Sequence, residues 1–238
     1  MEYLFQLSAA LLPAVLLLLY VYHKDPMREP LSWLACALLL GVVICLPVSV
    51  VEVGIQQLLF GGAAPKTLFG TTAEAFFVAA LPEESFKLLA LWLALRRNPY
   101  YDEHFDGIVY AVFVGLGFAA IENVMYVFGN SEEWMSVAFS RALLSVPGHY
   151  AFAVLMGYYY SMYRFVRRTP MTAFCVLAVP FAAHGFYDAL AMSGQVDPVI
   201  GSVAFIALVW FCVKMHKLAN RKVMAQLRKD EDEVFVVS

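Results

Sequence analysis

Seven stretches of this chain stay apolar for about twenty residues each, and that repetition admits one kind of fold. They run over 3–22, 31–51, 72–95, 107–128, 136–163, 170–192 and 196–216. About 20 residues of helix cross the roughly 30 Å of hydrocarbon in a bilayer. Backbone N–H and C=O groups in lipid must be satisfied within the segment, so such stretches become helices. Apolar residues make up 62% of the chain and charged residues 15%, a balance that a water-soluble domain of this length does not need. The expected fold is all-α: a polytopic transmembrane helix bundle of about seven spans. One transmembrane domain is expected over 1–216, with its catalytic core at about 72–192 and a frayed, helical cytoplasmic tail over 217–238.

Basic residues set the expected orientation. Thirteen of the sixteen lysines and arginines fall after runs one, three and five or at and beyond the end of run seven. By the positive-inside rule these connections face the cytoplasm, which puts the N-terminus outside and the C-terminus inside. The first run has no basic residue before it and no clear small-x-small cleavage site, so it reads as a retained helix. Cys36, Cys45, Cys175 and Cys212 all lie in apolar runs and read as packed thiols. The basic tail suits anionic lipid, and no nucleic-acid partner is expected.

Against this apolar background stand a few ionisable side chains that cost several kcal/mol each to hold in lipid. Leu81-Pro82-Glu83-Glu84-Ser85-Phe86-Lys87 puts two carboxylates and an ammonium in the third run; Glu122 and Asn123 lie in the fourth, His149 in the fifth, and His184 and Asp188 in the sixth. At 1.5 Å per residue, Glu83 lies roughly 17 Å, Glu122 about 9 Å and His184 about 12 Å below the outer ends of their helices. His149 is about 12 Å inward of Arg141 on the same scale. Four helices therefore offer protonatable groups in one slab. Within it, Lys87 is spaced i+4 from Glu83 and i+3 from Glu84, so it can pair with either and leave the other available. His184 and Asp188 are i, i+4, which lets the carboxyl orient the imidazole. Pro82, Pro147 and Pro180 sit at the same level, where each removes a helix N–H and is expected to break its helix. The small residues Gly115, Gly117, Ala119 and Ala120 give the fourth run a face for close helix packing.

Four segments, Glu83-Glu84-Ser85-Phe86-Lys87, Asp102-Glu103-His104-Phe105-Asp106-Gly107, Gly117-Phe118-Ala119-Ala120-Ile121-Glu122-Asn123 and His184-Gly185-Phe186-Tyr187-Asp188, together resemble the PrsW family of bacterial intramembrane proteases. The resemblance covers about 72–192. It implies a glutamic-type protease, preferred over a metalloprotease, that makes the site-1 cleavage of a membrane-anchored anti-sigma factor and is kin to the CAAX-protease and bacteriocin-processing superfamily. That superfamily typically places three residues between its glutamate pair and an arginine, and often ends its last motif in Asn. Here two residues precede Lys87 and the last motif ends in Asp188, departures that point to the PrsW branch and away from prenyl-protein processing. Glu103 and Asp106 belong to the family motif but fall at the cytoplasmic end of the fourth run, where a structural or gating part is expected of them.

Peptide hydrolysis needs a base to activate water, a group to stabilise the carbonyl oxygen and a donor to the leaving amine. On this chemistry Glu83 is expected as general base and His149 as a second hold on the water. His184 and Asp188 take the oxyanion position, and Glu84 with Lys87 forms a supporting pair. Glu122 is either a second acid or a structural partner of Lys87, and Asn123 is supporting. No cofactor is required; the rival is a zinc ion held by His149, His184 and one glutamate. The expected partners are the lipid bilayer and a single-span membrane protein substrate. A proton-coupled transporter would also carry intramembrane Glu, Asp and His, but would show related halves, and none are visible. A retinal-type receptor would need a lysine deep in the last helix, where Lys214 lies at the end.

Overall fold

The computed structural model describes residues 1–237, with side chains through Asp232; Ser238, the last residue of the expected tail, lies outside the described residues. Every described element is helical. Seven rods follow one another: α1 (Glu2–Lys24), α2 (Leu31–Phe60), α3, α4 (Asp106–Gly129), α5, α6 (Pro170–Met192) and α7 (Pro198–Val237). Two of them are composite. In α3 a π-helical turn, Glu74–Ala80, joins Leu68–Ala73 to Leu81–Leu95. In α5 one such turn, Arg141–Ser145, joins Trp134–Ser140 to Val146–Ser161, and a second, Met162–Val166, ends the rod.

Helices α1, α2, α4, α6 and α7 are each long and apolar enough to cross a membrane. The two composite rods, α3 and α5, fall at the other two expected runs and carry Glu83, Glu84, Lys87 and His149 of the slab described above. Large apolar side chains exposed on α2 (Leu39, Val43, Leu46, Val50) and α7 (Val203, Ile206, Trp210) suit lipid contact. The chain is thus a multi-pass, all-α membrane bundle.

At its centre is α4, buried without interruption from Asp106 to Ala119 and packed on α1, α2, α3 and α5. Its small residues allow that crowding. A Cβ on Gly117 would strike the Leu38 carbonyl of α2, and one on Gly115 would lie 2.8 Å from the Ala153 Cβ of α5. Close backbone approach is the main source of helix association in lipid, where burial of apolar area adds little.

The prolines divide. Pro82 and Pro147 each follow a π-helical turn, whose i→i−5 bonds run from Leu81 N–H to Phe76 O and from Val146 N–H to Arg141 O. Pro180 lies inside α6, which continues as regular helix through it, so the break expected there is absent. A proline without a preceding π turn loses one hydrogen bond and can leave the rest of the ladder in register.

Beyond residue 217 the chain is not a loose appendage. α7 continues as one helix with Ala219, Val223 and Leu227 buried. Its Asp230 carboxylate accepts the backbone N–H groups of His104 at 2.7 Å and Phe105 at 2.9 Å, just ahead of α4. The Phe105 N–H, at the N-cap, is one of those a helix N-terminus leaves unsatisfied.

Candidate active site

The geometry starts with α3, where the turn after Ala80 aims Glu83, Glu84 and Lys87 inward; all three are at most 5% exposed. Lys87 Nζ donates to Glu83 Oε2 and to Glu84 Oε1, each at 2.8 Å. The expectation that one carboxylate would be paired while the other stayed free is corrected here. An ammonium has three hydrogens, and two carboxylates about 100° apart on a helix straddle a lysine one turn on. Lys87 also lies 3.3 Å from His149 Nδ1 and 4.4 Å from the centre of the Phe118 ring.

Each histidine comes from its own rod and is backed by a carboxylate from another. His184, on α6, sets Nδ1 2.9 Å from Glu84 Oε1, with Nε2 3.2 Å from Asp188 Oδ2 and 3.9 Å from Glu83 Oε2. Its ring stacks on Phe152, centroids 4.8 Å apart. His149, on α5, sets Nε2 2.8 Å from Glu122 Oε2 of α4. An ammonium only donates and a carboxylate only accepts, so His149 carries its hydrogen on Nε2 and turns the Nδ1 lone pair to Lys87. The two imidazole centroids are 5.3 Å apart.

Glu122 does not pair with Lys87, as one reading of the sequence expected. Its Oε2 accepts from His149 and from Arg141 Nη2, the latter at 2.7 Å. Arg141 Nε donates to Asn123 Oδ1 at 2.5 Å, and Asn123 Nδ2 donates to the Ala10 carbonyl of α1 at 3.1 Å. One line of polar contacts therefore runs from Ala10 through Asn123, Arg141, Glu122, His149, Lys87, the glutamate pair and His184 to Asp188, across five rods.

Glu103 and Asp106 are not in this line. Asp106 stands sixteen positions before Glu122 on α4, about 24 Å along the helix. Its Oδ2 accepts the backbone N–H groups of Asp102 and Glu103 at 3.1 and 2.7 Å, a structural use. Nearby, Glu29 accepts a hydrogen bond from the Tyr110 hydroxyl. Burial pushes the Glu29 carboxyl up to about 7, and burial among neighbouring carboxylates pushes Glu103 up to about 7 as well.

Glu83, Glu122, His149, His184 and Asp188 all line one cavity of about 1000 Å³. That is the upper end of the roughly 300–1,000 Å³ common for ligand pockets. Glu52 of α2 and Glu74 of the α3 π turn line it too. Sequence reasoning missed both, and it used Arg141 only as a depth reference for His149. An arginine and two glutamates within or beside apolar runs were the signal.

The donor set also fits a metal ion. Ligand atoms of Glu83, His149 and His184 all lie within 4.8 Å of one another. Each imidazole has its far nitrogen on a carboxylate, the outer-shell arrangement that metal-binding histidines use.

Comparison with known proteins agrees with this chemistry. The sequence model of a family described as PrsW family intramembrane metalloprotease matches residues 29–215. Proteins named Protease PrsW are similar along nearly the whole chain. That of Geobacillus kaustophilus is 35% identical over 90% of this chain and 92% of its own, and that of Bacillus subtilis 33% over 93% and 98%. That of Clostridioides difficile is 32% identical over 84% and 85%. No solved structure matches the chain.

Proposed function

The chain belongs to the PrsW family of intramembrane proteases, and on that premise we propose that it is an endopeptidase whose water is activated by Glu83. The observation that carries the proposal is the meeting of Glu83, His149 and His184, from three separate rods, on the wall of one cavity. Three buried ionisable groups have no packing value that would offset their cost in lipid unless they act together.

In this reading a water between Glu83 and His149 loses its proton to Glu83 as its oxygen attacks the scissile carbonyl. Glu83 then returns that proton to the leaving amine. Lys87, hydrogen-bonded to both glutamates, holds the base in place. Glu84 orients His184 at Nδ1, and Nε2, which faces Asp188, would donate to the carbonyl oxygen in place of that contact. Asn123 ties the assembly to α1. The substrate class follows the family resemblance: a single-span membrane protein, an anti-sigma factor, cut in site-1 fashion.

A second form of the same chemistry uses zinc, and the carboxylate behind each imidazole favours it. Glu83, His149 and His184 would hold the ion, which would polarise the carbonyl and acidify a bound water. Lys87 weighs the other way, since its ammonium already hydrogen-bonds two of those three groups.

The deciding experiment is cleavage of a single-span substrate by the purified protein in vesicles, with and without a chelator. Wild-type cleavage that Glu83→Gln abolishes supports the endopeptidase. Chelator resistance assigns the metal-free form; loss restored by added zinc assigns the metal form. No cleavage of any single-span substrate would overturn the proposal.

A further inference from the structure

We propose that Arg141 is a positioning residue of this site: it clamps Glu122 against His149 and so decides which imidazole nitrogen faces Glu83 and Lys87. The inference rests on the protease reading above. Three contacts fix the guanidinium. Nη2 donates to Glu122 at 2.7 Å, Nε donates to Asn123 at 2.5 Å, and Cζ lies 4.1 Å from the centre of the Tyr126 ring. All three partners lie on one turn of α4, so the planar fork of the guanidinium reads that turn as a lysine could not. The Arg141 side chain is 12% exposed and that of Glu122 15%.

Local structure explains how Arg141 gets there. Arg141 and His149 are eight residues apart, which in a regular helix turns their side chains about 80° from each other. The π turn Arg141–Ser145 lies between them and absorbs one extra residue, so the spacing acts as seven and the mismatch falls to about 20°. Both side chains then reach the same oxygen, Glu122 Oε2. The π turn thus serves to place an arginine and a histidine on one carboxylate.

The consequence falls on His149. With Glu122 held, Nε2 keeps the hydrogen and Nδ1 keeps its lone pair for the groups that meet the water. Without Arg141, Glu122 loses its second anchor and can swing into the cavity, and the imidazole is free to exchange tautomers. Substituting a carboxylate that fixes an imidazole tautomer can cost about 10⁴-fold in kcat, and a residue one step further out should cost less.

The test uses the full chain in vesicles with R141Q, R141K, E122Q and the R141Q/E122Q double variant. R141Q should lower kcat about 10²-fold with KM within about twofold, and R141K, which keeps the charge beside Glu122 without the fork, should recover only part of it. The double variant should be no slower than E122Q alone, because both act through one nitrogen. A second reading is independent of activity: in ¹⁵N-histidine spectra, the signal lost in H149Q should show the Nε2–H tautomer in wild type and a mixture in R141Q. Multiplying losses in the double variant, wild-type kcat in R141Q, or an unchanged tautomer would overturn the proposal. Should R141Q not accumulate, E122Q carries the spectral test, and a tautomer unchanged there overturns it equally. A wild-type protein that cleaves nothing overturns the protease reading instead, and the spectra still decide Arg141.

Discussion

His184 Nδ1 lies 2.9 Å from Glu84 Oε1, two side chains a hundred residues apart in the sequence that meet inside the bundle. The contact leaves Nε2 of the imidazole turned to Glu83 and Asp188. H184A and E83Q should each lower kcat/KM by roughly 10²–10⁴-fold, the usual weight of a positioned acid or base. Insertion and yield should stay near wild type, since neither change adds bulk. Cleavage assays on equal amounts of folded protein check this, and full activity in either variant removes that residue from the mechanism.

Lys87 is a different case. It neutralises two buried carboxylates at once, so K87M leaves both without a cation. Breaking a buried pair costs about 3–5 kcal/mol, which should lower the melting midpoint and the yield of K87M well below those of E83Q. Thermal unfolding in detergent compares them; equal midpoints would show that losing Lys87 costs no more than neutralising Glu83.

At the opposite end of α4 the buried Glu29 carboxyl is pushed from 4.5 up to about 7. The folded state therefore holds its proton more tightly than the unfolded chain does. Its stabilising effect is complete below about pH 4.5 and fades as the pH rises through about 7. Stability measured across that window should fall with rising pH, and E29Q should flatten the fall. A profile of the same slope in E29Q would contradict the assignment.

Topology and cut site stand or fall together. The basic bias predicts a C-terminus in the cytoplasm, so a cytoplasmic reporter fused after Ser238 should be active and a periplasm-dependent one silent. The site then lies in the outer half of the bilayer, and the scissile bond should fall in the outer half of the substrate's span or just beyond it. Gly or Pro near that bond should speed cleavage, because a helix must unwind before its carbonyls can be attacked. Fragment masses locate the cut, and a cut in the cytoplasmic half would refute the assigned orientation or the assigned site.

Hydropathy made the seven rods legible because lipid allows so few alternatives: 170–192 was bounded to the residue, and 107–128 to within one at each end. Glu83, Glu84, Lys87, His149, His184 and Asp188 were legible for the same reason, being costly where they stand. Partnership was not. Which carboxylate meets which cation depends on rotation about the helix axes, and two π turns shift that rotation by amounts that residue counting assumes away. Arg141 serves only as a depth reference because it lies near a helix start, and Glu52 falls one residue past an apolar run. The packed course of α7 past residue 217 was hidden by its polarity, which reads as solvated when the surface it covers is unknown.

The polar line from Ala10 to Asp188 has a consequence for how such a chain diverges. Most side chains in the line serve a neighbour on each side, so a replacement that suits one neighbour deprives the other. Substitutions along it should come in pairs among related chains: a relative that changes Asp188 should also change at His184 or the glutamates, and one that loses Arg141 should lose Glu122 with it.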